Sequence, residues 1–318
     1  MATNQSPAIH VAGLRKSFGR LTVLDGIDLD IAAGSVFALL GPNGAGKTTM
    51  IQILSTLIPA DSGQVQVADH DIGAEPEAVR DAIGVTGQLS AVDKFLTGEE
   101  NLVLMADLRH VGKGEGRKRT ARLLEQFDLV ASAGKVVSTY SGGMQRRLDL
   151  AMTLIGGPQM IFLDEPTAGL DPRSRRTMWQ IIRGLVADGV TVFLTTQYLE
   201  EADQLADRIA VLDHGKLVAQ GTPAELKQLV PGGHVSLQFA EPEMLDRAAA
   251  LLAPTARDDD ALTLQIPAAG NLQSLRSLLD RLDQGGIQAD GISIHTPDLD
   301  DVFLALTGRS QEEEVLVR

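Results

Sequence analysis

Hydrophobic positions change their spacing several times along this chain, and each change marks a different kind of element. From Ile9 to Ile31 they come in short alternating bursts, with Leu24, Ile27, Leu29 and Ile31 close to a period of two. That is the pattern of antiparallel strands. Further on, Val36 to Leu40, Met160 to Leu163, Val190 to Leu194 and Ile209 to Leu212 are compact and continuously apolar. Strands of that kind are covered on both faces, so they predict a mainly parallel sheet with helices around it and an α/β core.

Over residues 91–155 the strand signals vanish. Met144, Leu148, Ala151, Met152 and Ile155 fall on one helical face, and the region reads as a helical subdomain inserted into the α/β core. Thr222-Pro223-Ala224-Glu225 has the cap, the first-turn proline and the third-position glutamate that open a short helix. Pro231-Gly232-Gly233 is a natural boundary. Beyond it His234 to Phe239, Leu262 to Ile266 and Ile292 to His295 read as strands, and Met244 to Leu252 and Leu272 to Leu282 as helices. The expected division is therefore residues 1–230 and a small α+β domain at 231–318, ending in an acidic tail at Glu312, Glu313 and Glu314 that is expected to be disordered.

At 318 residues, two domains are the natural expectation. No run approaches the ~20 apolar residues that cross a bilayer, and the opening MATNQSPAIH has neither the basic nor the apolar region of an export signal. With no cysteine, disulfides, thiolate metal sites and cysteine nucleophiles are excluded. A net charge of -14 and an aromatic content of 3% argue against nucleic acid as a partner. The local basic run Lys113, Arg117, Lys118, Arg119 and Arg122 reads as a solvated helix face, with lipid headgroups or a partner as the alternative.

Gly41-Pro42-Asn43-Gly44-Ala45-Gly46-Lys47-Thr48-Thr49 follows the apolar run ending at Leu40 and leads into a helical stretch, as a phosphate-binding loop must. Its glycines let backbone N–H groups curl around a phosphate at the positive end of a helix. Lys47 supplies a mobile cation, and the Thr48 hydroxyl is placed to ligate Mg²⁺. The strand Met160 to Leu163 ends in Asp164 and Glu165. Two adjacent acids at a strand exit exceed what packing asks for; Asp164 is the candidate Mg²⁺ ligand and Glu165 the group that polarises the attacking water. The expected ligands are thus ATP and Mg²⁺.

Phosphate loops serve many enzymes, and a third motif narrows the class. Tyr140-Ser141-Gly142-Gly143-Met144-Gln145-Arg146-Arg147 resembles the LSGGQ signature of ATP-binding cassette (ABC) proteins. Physically, Ser141 and the Gly142 and Gly143 amides at a helix start form a second anion site. The resemblance covers residues 8–230 and implies further roles. Phe18 matches the aromatic that stacks on adenine, although a single early Phe is often core. Gln88 matches the loop glutamine that reaches Mg²⁺ and the attacking water and reports to a membrane partner. Asp171, in Gly169-Leu170-Asp171-Pro172, matches the loop at the dimer interface, or simply caps the next helix.

Two positions depart from the family pattern. Met144 stands where the signature usually has Gln, and Gln197 occupies the place of the switch histidine. A Gln amide can donate to a γ-phosphate but cannot carry a proton as His can. The chain as a whole resembles the daunorubicin-resistance type of ATP-binding subunit, which also tends to have Gln at the switch, a similar appendix, and an ending like Thr296-Pro297-Asp298-Leu299-Asp300-Asp301-Val302-Phe303-Leu304. This resemblance implies an ATPase that powers an exporter of drugs or other hydrophobic compounds. It would pair head to tail with a second copy and dock on a separate transmembrane permease at the cytoplasmic face of the membrane. Open alternatives are a non-transport ABC ATPase of the translation or DNA-repair type and a weakly hydrolysing regulatory subunit.

Overall fold

The computed structural model describes residues 7–87, 91–230, 233–267, 272–295 and 298–306, so Gln88, Pro231, Gly232, Thr296, Pro297 and the acidic tail lie outside the described residues. The chain divides into two compact units, 1–223 and 224–318.

In the first unit, β1 (Ile9–Phe18) and β2 (Leu21–Ile31) form a hairpin. With β4 (Ser62–Val67) and β5 (His70–Asp71) they make an antiparallel sheet in the order β2-β1-β4-β5. The near-alternating Leu24, Ile27, Leu29 and Ile31 are all buried, and the bulges in the β1–β2 pairing account for the imperfect period.

The second sheet has the order β10-β9-β3-β8-β7-β6. Its strands are β3 (Val36–Leu40), β6 (Ile83–Thr86), β7 (Met160–Asp164), β8 (Thr191–Thr196), β9 (Arg208–Asp213) and β10 (Lys216–Gly221). All neighbours pair parallel except β10 on β9. As the continuous apolar runs require, every residue of β3, β7 and β8 is buried. Phe37, Phe193 and Phe162 lie directly opposite one another on β3, β8 and β7. Their ring centroids are 5.6 Å apart at both contacts. A slip by one residue would turn this ladder to the other face, so it fixes the register.

Helices α1 (Lys47–Leu54), α2 (Pro76–Ala82), α6 (Pro172–Ala187) and α7 (Leu199–Leu205) accompany this sheet. Between β6 and β7 the described regular elements are helical, α3 (Gly98–Leu108), α4 (Lys113–Gln126) and α5 (Gly142–Leu154), plus two short 3-10 turns and one isolated bridge from Thr97 to Val136. The face read from spacing on α5 is the packed one, with Leu148, Ala151, Met152 and Ile155 buried. On α4, Lys113, Arg117, Lys118 and Arg122 are exposed, while Arg119 pairs with Glu115 and donates to the Ile155 carbonyl at 2.9 Å.

The short helix α8 (Pro223–Lys227) opens at the proline, as the cap predicts. In the second unit β11 (His234–Gln238), β12 (Ala256–Asp258), β13 (Thr263–Pro267) and β14 (Gly291–His295) form an antiparallel sheet in the order β12-β13-β11-β14. Helices α9 (Pro242–Leu252) and α10 (Leu272–Gln284) supply Leu245, Ala248, Leu252, Leu278 and Leu282 to a core shared with Val235, Leu237, Leu264 and Ile266.

Phe193→Ala removes the central ring of the ladder and is expected to cost about 3–5 kcal/mol. Urea unfolding followed by circular dichroism checks this, and a loss below about 1 kcal/mol would contradict the ladder's role in the sheet.

Candidate functional site

Because β3, β8, β7 and β6 are adjacent and parallel, their carboxyl ends open along one edge, where ligand sites of open α/β sheets form. Leu40 pairs with Thr196, Asp164 with Thr195, and Thr86 with Leu163. The segments beginning at Gly41, Glu165, Gln197 and Gly87 therefore emerge side by side, although the sequence scatters them over nearly half its length.

The loop from Gly41 to Gly46 turns tightly between β3 and α1. Gly46 caps α1 at φ 110°, a conformation that suits glycine alone, and a Cβ there would sit 2.9 Å from the Val23 carbonyl oxygen. At Gly41 a Cβ would come within 2.4 Å of the Leu212 carbonyl oxygen. A cavity of about 430 Å³ results, lined by Val23, Asn43, Gly44, Gly46, Lys47, Thr48, Thr49 and Glu165. Ala45 is buried, and Pro42 is partly covered. A larger concavity of about 990 Å³ beside His10, Asp30 and Arg208 contains none of the motif residues and none of this chemistry.

Lys47 Nζ donates to the carbonyls of Gly41 at 2.7 Å and Pro42 at 3.0 Å, and stands 3.8 Å from Glu165 Oε1. Burial pushes its pKa down, with the charges of Glu165 and Asp164 opposing. The buried Asp164 carboxylate accepts from Thr48 Oγ1 at 2.9 Å and from Thr195 Oγ1 at 2.5 Å. Glu165 adopts a left-handed φ of 48°, a conformation that costs a non-glycine residue about 1–2 kcal/mol. Its N–H is held by the Thr195 carbonyl at 3.1 Å and by Thr195 Oγ1 at 3.2 Å. The strained turn lifts the Glu165 side chain out of the buried strand and into the cavity lining.

The other sequence-derived residues are arranged around this edge. Gln197 directly follows β8 and is exposed. Ser141 caps α5, its Oγ accepting from the Met144 N–H at 3.3 Å. Ser141, Gly142 and Gly143 are not among the residues lining the cavity. Gly143 packs so closely on α6 that a Cβ would lie 2.6 Å from Ser174 Oγ. Asp171 caps α6, accepting from the Ser174 N–H at 2.9 Å and from Ser174 Oγ at 2.6 Å, and these bonds draw its pKa down. The helix-capping alternative for Asp171 is thus satisfied, which leaves a second role open. Phe18 is 50% exposed, with Lys16 Nζ 5.4 Å from its ring centre, so it is not a core residue.

Several partners escaped the sequence reading. Thr195 links Asp164 to the Glu165 backbone, but a threonine ending a buried strand has no signature. Arg146 lies within the quoted signature, and its guanidinium donates to four carbonyls: Asp164 at 2.8 Å, Glu165 at 3.1 Å, Pro166 at 3.1 Å and Gly87 at 3.0 Å. Glu201, fully buried on α7, accepts from Trp179 Nε1 on α6 at 3.1 Å. Burial is the main cause that pushes its carboxyl up in pKa.

A glycine cradle with a buried lysine, a hydroxyl meeting a strand-end aspartate, and a capped Ser-Gly-Gly helix start together define an ATP-binding cassette. Residues 24–168 match the family model described as ABC transporter. The chain is 48% identical over 303 residues to the daunorubicin resistance ATP-binding protein DrrA3 of Streptomyces coeruleorubidus, covering 95% of this chain and 96% of that protein. To the doxorubicin resistance ATP-binding protein DrrA of Mycobacterium tuberculosis it is 44% identical over 315 residues, 96% of this chain and 95% of that one. A solved ATP-binding subunit of an ABC transporter superposes with a TM-score of 0.63 at 25% identity, over 70% of this chain and 92% of that structure. A dimeric ATP-binding cassette in a post-hydrolysis state bound to ADP and Pi gives 0.61 at 27%, over 67% and 98%. The chain belongs to the ABC transporter ATP-binding proteins, in the group that includes the daunorubicin- and doxorubicin-resistance proteins, and it is a nucleotide-binding ATPase.

Thr195→Val removes a charge-assisted donor to buried Asp164 and is expected to cost roughly 1.5–3 kcal/mol in unfolding free energy, while Thr195→Ser stays within about 1 kcal/mol of the parent. Denaturant titration of the two variants checks this; equal losses would show that the hydroxyl bonds contribute nothing.

Proposed function

We propose that this ATPase powers the export of drugs or other hydrophobic compounds through a separate membrane-spanning permease, working as a head-to-tail pair of cassettes on the cytoplasmic face. The observation that carries the reading is the convergence of Lys47, Thr48, Asp164 and Glu165 on one cradle that the Ser141-Gly142-Gly143 segment does not line. One chain thus offers one cradle and one signature, and two copies in isologous symmetry give two composite sites. The dimeric ADP- and Pi-bound relative supports such a pair.

In this scheme the backbone of Gly41, Pro42, Asn43, Gly44, Ala45, Gly46 and Thr49 wraps the phosphates, and Lys47 exchanges its carbonyl partners for phosphate oxygens. Exposed Phe18 stacks on the adenine. From the opposite copy, Ser141, Gly142 and Gly143 clasp the γ-phosphate and Asp171 meets the interface. The Thr48 hydroxyl and the Asp164 carboxylate, 2.9 Å apart, are the hard oxygen donors Mg²⁺ takes alongside phosphates, with Gln88 as a further ligand. Bound there, Mg²⁺ neutralises charge on the transferred phosphoryl group. Glu165 orients and polarises the attacking water, a role Gln88 assists. Gln197 donates a neutral hydrogen bond to the γ-phosphoryl oxygens.

Two observations support a separate permease. No helix among the described residues is long and apolar enough to cross a membrane. Phe95, just beyond residues 88–90, is 90% exposed, and the nearby Asn101 side chain holds the Asp93 backbone at both its N–H, 2.8 Å, and its carbonyl, 2.9 Å. The second unit regulates or docks the motor and takes no part in hydrolysis, since every nucleotide motif precedes it.

Glu165→Gln is expected to abolish Mg²⁺-dependent phosphate release measured with the permease in membranes. Gln197→Ala, losing one neutral donor worth about 1.5–3 kcal/mol, slows it only roughly 10- to 100-fold. If Gln197→Ala is as inactive as Glu165→Gln, this assignment of roles is wrong. Light scattering of Glu165→Gln with ATP and Mg²⁺ should show a dimer, and a strict monomer would remove the paired arrangement.

A further inference from the structure

Arg146 is a side chain that touches the strand exit at Asp164 and Glu165 and the segment after β6 together. It rises from the first turns of α5, with its side chain 15% exposed. Its Nη2 donates to the carbonyls of Asp164 and Glu165, Nε to Pro166 and Nη1 to Gly87. One turn along the same helix, buried Asp149 lies 3.6 Å from Arg146 Nη1 and accepts from the Ala91 N–H at 3.1 Å. A helix start in the inserted helical region therefore grips Gly87 with one residue and Ala91 with its ion-pair partner. The same guanidinium also holds three consecutive backbone carbonyls around Glu165.

We propose that Arg146 and Asp149 act together as a positioning unit for Glu165, setting its strained backbone against Gly87 and Ala91 so that a movement of α5 or of these two residues reaches the hydrolytic carboxylate. The inference rests on Glu165 being the group that polarises water. Its physical basis is the shape of the guanidinium, whose planar fork of five donors can hold several acceptors in fixed directions, whereas an ammonium is a point charge on a flexible stem. Burial pushes the Arg146 pKa down, while the carboxylates of Asp149, Asp164, Glu201 and Glu165 oppose that shift. The cation is thus retained by the negative charges it organises. Glu165 sits at a φ of 48°, a backbone state that persists only where the surroundings over-determine it. The three carbonyl bonds from Arg146 and the two bonds from Thr195 supply that determination. Neither Arg146 nor Asp149 lines the phosphate cavity, so they act through Glu165 and not on the nucleotide.

The test compares Arg146→Lys, Asp149→Asn, the double variant and Glu165→Gln in the full chain with its permease in membranes. A misplacement of about 1 Å at a reacting group lowers turnover on the order of 100-fold, so kcat should fall roughly 10- to 100-fold in each single variant. Binding of a fluorescent ATP analogue to the purified chain should stay within about threefold, a change below 1 kcal/mol. Since the two residues form one unit, the double variant should fall no further than Arg146→Lys alone. Hydrogen exchange at the Ala91 amide should be unchanged in Asp149→Asn, which keeps the acceptor oxygen, and faster in Asp149→Ala. If Arg146→Lys does not fold, the near-isosteric Asp149→Asn still decides the question. The proposal is overturned if kcat stays within twofold in Asp149→Asn, or if the losses multiply in the double variant while nucleotide affinity and the unfolding midpoint fall with them. Wild-type turnover in Glu165→Gln would instead remove the underlying reading of Glu165.

Discussion

A carboxylate with almost no access to water stands at the centre of this cassette. Asp164 is 2% exposed at the end of an entirely buried strand, and an ionised group there must be met by donors. Thr48 comes from the helix after the glycine loop, Thr195 from the neighbouring strand, and Lys47 lies close by with its charge. Satisfying one buried charge thus draws together three segments that the chain delivers at widely separated points. The same bonds fix where the hydroxyl and carboxylate oxygens point, so on the proposed reading the atoms that satisfy the fold are also those that would hold a metal-bound phosphate.

That convergence depends on strand order. The phosphate loop follows β3, yet Asp164 ends β7, and β8 lies between them. The phenylalanine ladder across β3, β8 and β7 carries this alignment deep in the core, where rings pack in register a few residues before the chemistry begins. Any slip that moved Thr195 away from Asp164 would also break the ring contacts, so packing in the core protects geometry at the edge.

The glycine loop, the paired acids and the Ser-Gly-Gly helix start were legible in the sequence because their chemistry depends on residue type at fixed local spacing. The buried parallel strands were legible because continuous apolar runs have few other homes. What the sequence hid were side chains whose partners are distant backbone atoms. Arg146 binds carbonyls, which every residue possesses, so neither its identity nor its spacing announces a target. Thr195 reads as one more β-branched residue in a strand. The strand Ile83–Thr86 was missed because it has only four residues and contains a glycine; at Gly84 a Cβ would meet the Thr153 carbonyl oxygen at 2.9 Å, which explains why glycine is needed there. The short strand Ala256–Asp258 has all three residues exposed and shows no hydrophobic pattern at all. Phe18 shows the opposite limit: a lone aromatic on a strand reads equally as core or contact, and only its exposure separates the two.

The bond from Trp179 to Glu201 joins α6, which begins at the Asp171 cap, to α7, which begins just after Gln197. Trp179 is the single tryptophan of the chain. Indole emission responds to the polarity around the ring and to hydrogen bonding at its nitrogen. This protein therefore carries a native optical label, with no second tryptophan in the chain, at the contact between the helix that starts at the Asp171 cap and the helix that starts just after Gln197. Ultraviolet light absorbed at one side chain can report in real time on whether that contact holds while nucleotide is bound and turned over, with no dye attached and no residue exchanged.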